Sequence, residues 1–221
     1  MKEQRRGGRV ASLIVAATLV AGTIGGSLGA PALAQAPMAD APTYAVGDEW
    51  RFSFGPAKVL AIEGSQSVME FPASQRCPGC RYFFDGQRTL SKVVGKDGNE
   101  VNDPLVGLKF LDFPLSVGKE WRQTTSFLNE QTNQRIPLTH TFRVLAHEEV
   151  KTKAGTLKAF KMSHSRDWQT SASNLQARRD WGTAMYWYSP EAKAIVKRQV
   201  ISTGAVRVFG TDYELESYSL K

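Results

Sequence analysis

The chain predicts an all-β fold: an antiparallel curved sheet forming a half-barrel or a sandwich. Three observations carry that expectation. Apolar and polar residues alternate with period two through most of the chain beyond Tyr44. Gly-, Asp- and Pro-containing turn signals punctuate the runs. No amphipathic helical stretch interrupts them, so the βαβ rhythm of a parallel sheet is missing.

The strands are organised around a phrase that occurs twice. Val46-Gly47-Asp48-Glu49-Trp50-Arg51 returns as Val117-Gly118-Lys119-Glu120-Trp121-Arg122, each time ahead of an alternating run. A glycine free to take positive φ makes a turn, and the Trp behind it begins a strand with one face suited to burial. Both copies therefore predict the same strand-opening device, and an internal duplication is one reading of them.

Residues 1–34 are set apart as a signal peptide. Lys2, Arg5, Arg6 and Arg9 form a basic start, Val10 to Leu28 is apolar and Gly-rich, and Ala32-Leu33-Ala34 is an A-x-A cleavage site. The mature protein is thus expected to be exported, periplasmic or extracellular, after cleavage near Ala34. The Arg5-Arg6 pair leaves general secretion and twin-arginine export both open. No Cys follows the cleavage site, so lipid anchoring is not indicated. Residues 35–43, with Pro37 and Pro42 among alanines, read as a flexible spacer, and 44–221 as a single antiparallel β domain.

The whole chain carries 28 Lys and Arg against 21 Asp and Glu, a formal +7. The leader holds four of those cations and one of the acids, so the remainder is 24 against 20, or +4. Much of the basicity thus belongs to the leader, and nucleic acid is not an expected partner. Mild positive charge is compatible with peripheral contact to an anionic membrane.

In chain order, Arg51-Phe52-Ser53-Phe54 alternates and stops at Gly55-Pro56. Lys58 to Ile62 and Ser67 to Phe71 form a hairpin closed near Gly64. Arg81 to Phe84 ends at Asp85-Gly86, and Thr89 to Val94 ends before Lys96-Asp97-Gly98. Leu108 to Phe113, apolar on both faces, continues the meander to Pro114. The strongest alternation follows: Leu138, His140, Phe142 and Val144 share one strand face. Lys153-Ala154-Gly155 turns the chain back through Leu157 to Trp168. Counting from that turn sets Val144 near His164 and His140 near Trp168, and a slip of one residue would move the histidines to solvent. Ser171 to Asp180 is polar and reads as a mobile loop. Trp181 to Tyr188, Ala194 to Val200, Val206 to Phe209 and Asp212 to Leu220 complete the sheet.

Phe113-Pro114-Leu115-Ser116-Val117-Gly118-Lys119-Glu120-Trp121, Glu148 to Lys161 and Trp187-Tyr188-Ser189-Pro190-Glu191 resemble a group of uncharacterised bacterial secreted β domains. Their sheets are similar to the half-barrel of periplasmic lipoprotein carriers. The resemblance implies a carrier-like shape and no particular functional residue. It also has a departure, since the carriers close their groove with helices and this chain offers none.

Cys77-Pro78-Gly79-Cys80 is the conspicuous motif. Pro and Gly in the middle specify a type II turn, which brings the flanking Cα atoms within disulfide reach, so a structural Cys77–Cys80 disulfide is expected. The same spacing serves a redox dithiol, although the surrounding βαβ pattern of such sites is missing. Four metal ligands do not assemble from one Cys pair, so no metal is expected. No cofactor motif, P-loop, H-E-x-x-H or G-x-S-x-G pattern occurs.

Two function classes follow. One is a non-enzymatic envelope protein that binds a lipid-like ligand or a protein partner on its curved sheet, with His140, His164, Trp168 and Trp121 as the candidate ligand-binding residues. The other is an envelope thiol-redox or hydrolytic enzyme using Cys77 and Cys80, or His140 and His164. The core alternative for the two histidines is a hydrogen-bonded buried pair.

Overall fold

Alternating runs bounded by turn residues become strands. The computed structural model describes residues 36–71, 77–129, 133–172, 175–203 and 210–221, and every regular element among them is a β-strand. In chain order the first half holds β1 (Met38–Ala39), β2 (Glu49–Phe52), β3 (Gly55–Glu63), β4 (Gln66–Glu70), β5 (Arg81–Phe84), β6 (Leu90–Val94) and β7 (Glu100–Val101). The second half holds β8 (Leu115–Ser116), β9 (Glu120–Asn129), β10 (Gln134–Thr152), β11 (Gly155–Ala172), β12 (Leu175–Ser189), β13 (Ala194–Thr203) and β14 (Tyr213–Ser219).

Twelve of these strands make one curved antiparallel sheet in the order β7-β6-β5-β4-β3-β2-β14-β13-β12-β11-β10-β9. Every neighbour pair is consecutive in the chain except β2–β14, where Phe52 lies opposite Leu215 and Trp50 opposite Tyr218. The sheet is therefore two meanders joined at one seam. It does not close into a barrel, and β7 and β9 remain its edges.

Both copies of the repeated phrase are built alike. Gly47 and Gly118 take φ of +93° and +90°. Gly47 N donates to Val59 O at 3.0 Å and Gly118 N to Val144 O at 2.9 Å. In return Val59 N donates to Asp48 O, and Val144 N to Lys119 O. The copies part at the next side chain: Asp48 is fully buried, whereas Lys119 reaches the Asp112 carboxylate at 3.0 Å.

The largest apolar cluster draws on both meanders, with Trp50, Val59 and Met69 meeting Leu157, Trp187 and Leu215. A second gathers Leu111, Phe113 and Leu115 against Phe160, Met162 and Tyr188. Adjacent strand residues point oppositely, so Trp187 in one cluster and Tyr188 in the other show that β12 is buried on both faces. Cys80, Tyr82, Leu90 and Val93 form a third cluster. Trp50, Phe142 and Phe160 are buried as alternation requires, and Trp121 is half-buried.

Several local expectations are corrected. The first hairpin turns at Ser53–Phe54, because Phe52 already pairs with Gly55. Within the expected spacer, Met38–Ala39 instead pair with Leu115–Ser116. Residues 108–113 form no strand; they are apolar on both faces because they pack as an irregular cover. The polar stretch from Ser171 to Asp180 largely continues β11 and β12 as a long hairpin. Val206 to Phe209 lies outside the described residues.

The β10–β11 register differs by two residues from the count made at the turn. Phe142 faces His164, His140 faces Arg166, and Leu138 faces Trp168. Thr152 pairs with Gly155, so Lys153 and Ala154 alone make the turn, and a bulge between Val144 and Ala146 absorbs one residue more. An even shift preserves the faces, which is why His140 and His164 still point inward.

Candidate functional site

A cavity of about 250 Å³ lies under the irregular segment 102–114. That segment contributes Leu105, Leu108, Phe110 and Leu111 to one wall. The facing wall is Phe71 with Tyr82 and Phe84 of β5 and Leu90 of β6, and Ile195 of β13 completes the lining. The cover is fixed at its middle rather than packed as a strand: Gly107 N donates to Leu90 O at 2.8 Å, Lys109 N to Gln123 Oε1 at 2.9 Å, and Gln123 Nε2 to Gly107 O at 2.7 Å. It is thus pinned to β6 on one side and β9 on the other.

Two charged groups interrupt the apolar lining, Arg88 and Asp103. Asp103 Oδ1 accepts from Leu105 N at 2.8 Å. Arg88 ends the β5–β6 turn, where Arg88 N donates to Asp85 O and Asp85 Oδ1 accepts from Gln87 N and Thr89 N. It sits at φ +61°, a left-handed conformation that costs roughly 1 kcal/mol or more for a residue with a Cβ. Its side chain lines the cavity. Its Nη1 donates to Lys193 O at 3.1 Å, and the guanidinium lies 5.7 Å from the Tyr44 ring centre. Lys193 O also accepts from Tyr44 Oη at 2.9 Å.

Tyr188 completes this corner. It stands opposite Ile195 in the β12–β13 register and is fully buried. Its hydroxyl has no hydrogen-bond partner among the described residues. Burial raises the Tyr188 phenol above its usual range, Tyr44 adds to that, and the Arg88 charge acts against it.

The two predicted histidines are neighbours, not cavity-lining groups. His140 Nδ1 and His164 Nε2 are 3.0 Å apart, and His140 Nε2 meets Thr125 Oγ1 at 2.9 Å. Burial holds His140 down to about 4, with the Arg166 charge adding to it, and the same two causes with His140 itself keep His164 well below the usual imidazole range. Phe142 stacks on His164 with ring centres 4.1 Å apart, and Trp121 stacks on Phe142 at 5.1 Å. Trp121 Nε1 donates to Lys109 O at 2.9 Å, so it supports the cover from outside the cavity. Trp168 pairs by backbone with Leu138, and its side chain lies outside the described residues. Phe110 links the histidines to the cavity, as it lines the cavity and sits edge-on to His164 at 5.3 Å.

Cys77 and Cys80 are disulfide-bonded, with Cα atoms 5.5 Å apart across a turn whose Gly79 takes φ +73°. Cys80 is buried in the third cluster beside Tyr82 and Leu90, so the staple backs one cavity wall. Sequence reasoning missed Arg88 and the cover residues. The Asp85-Gly86 turn signal stopped short of the strained position, and the apolar run 108–113 passed for one more strand.

Comparison with known proteins gives the chain no family: no family model matches it, and no curated protein does. Two solved structures are similar to it. One is a candidate lipoprotein from Parabacteroides distasonis ATCC 8503, 13% identical, covering 82% of this chain and 99% of that one, with a TM-score of 0.43. The other is the hypothetical lipoprotein YmcC from Escherichia coli K12, also 13% identical, covering 81% and 88%, with a TM-score of 0.38. No residue role is carried over from either.

Proposed function

We propose that this is an exported, non-enzymatic envelope protein whose curved sheet works as an open half-barrel and holds an apolar, lipid-like ligand in the cavity beneath segment 102–114. One observation carries the reading: an apolar cavity with aromatic and aliphatic walls and two charged lining residues, under a cover hydrogen-bonded to β6 and β9. His140 and His164 belong to the support behind Phe110 in this reading, and Trp121 to the support of the cover. The leader delivers the chain to an oxidising compartment, which suits a Cys77–Cys80 staple.

The mature protein, purified from its own host, is expected to begin at Gln35 and to bind the neutral fluorophore N-phenyl-1-naphthylamine. Leu105→Trp, which fills the cavity from a half-buried position, should weaken that binding at least tenfold with little loss of thermal stability. A wild-type protein that leaves the fluorophore unbound would sink the proposal.

A further inference from the structure

The cavity has one polar corner, and its parts are unusual in the same direction. Arg88 occupies a left-handed backbone position where glycine would be free of strain, and its guanidinium and the Asp103 carboxylate are the two charged groups in an otherwise apolar lining. One of its nitrogens is engaged by Lys193 O. Tyr188, opposite the lining residue Ile195 though not itself part of the lining, buries a hydroxyl that has no partner among the described residues. A buried hydroxyl left unmade costs about 1–3 kcal/mol, so such a group in a native core calls for a reason. The two residues are coupled through space, since the Arg88 charge acts on the Tyr188 phenol. They are also coupled through structure: Tyr188 faces Ile195 across β12–β13, and Ile195 lines the cavity.

We propose that Arg88 and the Tyr188 hydroxyl are the headgroup site of this cavity, and that its ligand is a single-chain amphiphile with an anionic head. A guanidinium meets a carboxylate or phosphate oxygen with charge-assisted hydrogen bonds, and a phenol adds one donor in the same corner. The chain then runs along Leu90, Leu105 and Phe110. A cavity of about 250 Å³ sits just below the ~300 Å³ at which drug-sized pockets begin, which favours a short chain or the end of a longer one. Asp103 also lines the cavity and keeps its negative charge while accepting from the Leu105 amide, so the anionic head is assigned to the Arg88 corner and not to the cavity at large. The inference rests on the ligand-binding reading above and narrows it to one chemical class.

Decanoate, decyl phosphate and decanol, each displacing N-phenyl-1-naphthylamine, separate head from chain. The wild type is expected to bind at least one of the two anions ten or more times tighter than decanol. Preference for decanoate alone marks a fatty-acid head; preference for decyl phosphate as well marks a phosphate-bearing lipid. Arg88→Gly should erase the preference, so that decanol and both anions bind alike, and because it relieves the backbone while giving up the bond to Lys193 O its melting temperature should stay within a few degrees of the wild type. Tyr188→Phe should cut anion affinity three- to tenfold, leave decanol unchanged, and leave the melting temperature the same or higher. Equal binding of decanol and both anions by the wild type overturns the headgroup site while the apolar cavity stands. A Tyr188→Phe protein with full anion preference removes Tyr188 from it. If neither the fluorophore nor any of the three binds, the ligand-binding reading falls and takes this one with it.

Discussion

His140 and His164 are almost completely buried, and both are held neutral. Their contact explains the arrangement: one imidazole donates and the other accepts across 3.0 Å, while a doubly protonated pair would set N–H against N–H. The free energy follows from linkage. Each folded value lies below that of the unfolded chain, near 6.5, so the unfolded state takes up protons that the folded state refuses. Stability from this pair is complete above about 6.5 and is lost as pH falls toward the His140 value of about 4. The same groups act on the rings from all sides: Thr125 from β9, Arg166 on β11 and Tyr186 from β12. Between pH 7.5 and 4.5, urea denaturation should register a loss of roughly 2–3 kcal/mol from His140 alone. A His140→Gln, His164→Gln protein should lack that part of the decline, and parallel profiles for the two proteins would refute it. Asp48 stays out of this window. Burial opposes its charge, but hydrogen bonds from Lys221 N, Ala45 N and Lys193 Nζ outweigh burial and hold it below the usual carboxylate range. Its contribution therefore disappears only at more acid pH.

Among the elements, the paired strand-opening turns offer an internal control. Gly47 and Gly118 share a φ near +90° and the same hydrogen-bond scheme, yet their surroundings differ. A Cβ at Gly47 would rest against the Lys221 side chain at 3.5 Å, and one at Gly118 would meet open space. Strain, not crowding, should then dominate at both sites. Gly47→Ala and Gly118→Ala are each expected to cost about 1–2 kcal/mol, and a cost at only one site, measured by thermal unfolding, would show that the equivalence is superficial. These turns and the strands behind them were legible because their signals are local: a Gly, an aromatic, then alternation. The bulge at Leu145 carries no such mark, and neither does a two-residue closure at Lys153 and Ala154, so the register came out two residues away. The histidines kept their face only because the error was even. Segment 108–113 misled for a different reason, as burial on both sides reads the same in a cover as in a central strand. The cavity was illegible in consequence. Its walls come from β5, β6, β13 and that cover, which only the seam between the meanders brings together.

The seam is also where the molecule as a whole is held. Backbone pairing between β2 and β14 is short, running from Phe52–Leu215 to Glu49–Ser219 around a bulge. The first meander adds a second grip, on the turn that joins β12 to β13. Trp50 Nε1 donates to Ala192 O at 2.6 Å, Tyr44 Oη and Arg88 Nη1 both donate to Lys193 O, and Lys193 Nζ reaches Asp48 Oδ2 at 3.1 Å. Asp48 Oδ1 takes the Lys221 amide at 2.7 Å, so one carboxylate ties the opening turn, the β12–β13 turn and the last described residue together. Removing a buried partner strands the others, which typically costs 3–5 kcal/mol, whereas replacing both partners of a pair by apolar groups costs far less. Asp48→Ala should therefore lower the unfolding free energy by about 3 kcal/mol, and Asp48→Leu combined with Lys193→Met should recover only the Lys193 part of it, since the Ala45 and Lys221 amides stay unpaired. Because Trp50, Met69, Leu157 and Trp187 share one cluster across the seam, the two meanders should still melt in one transition. A loss under 1 kcal/mol would mean that strand pairing and the shared cluster carry the seam and that the buried carboxylate is incidental to it, whereas two separate transitions in the Asp48→Ala protein would mean that the cluster alone does not couple the meanders.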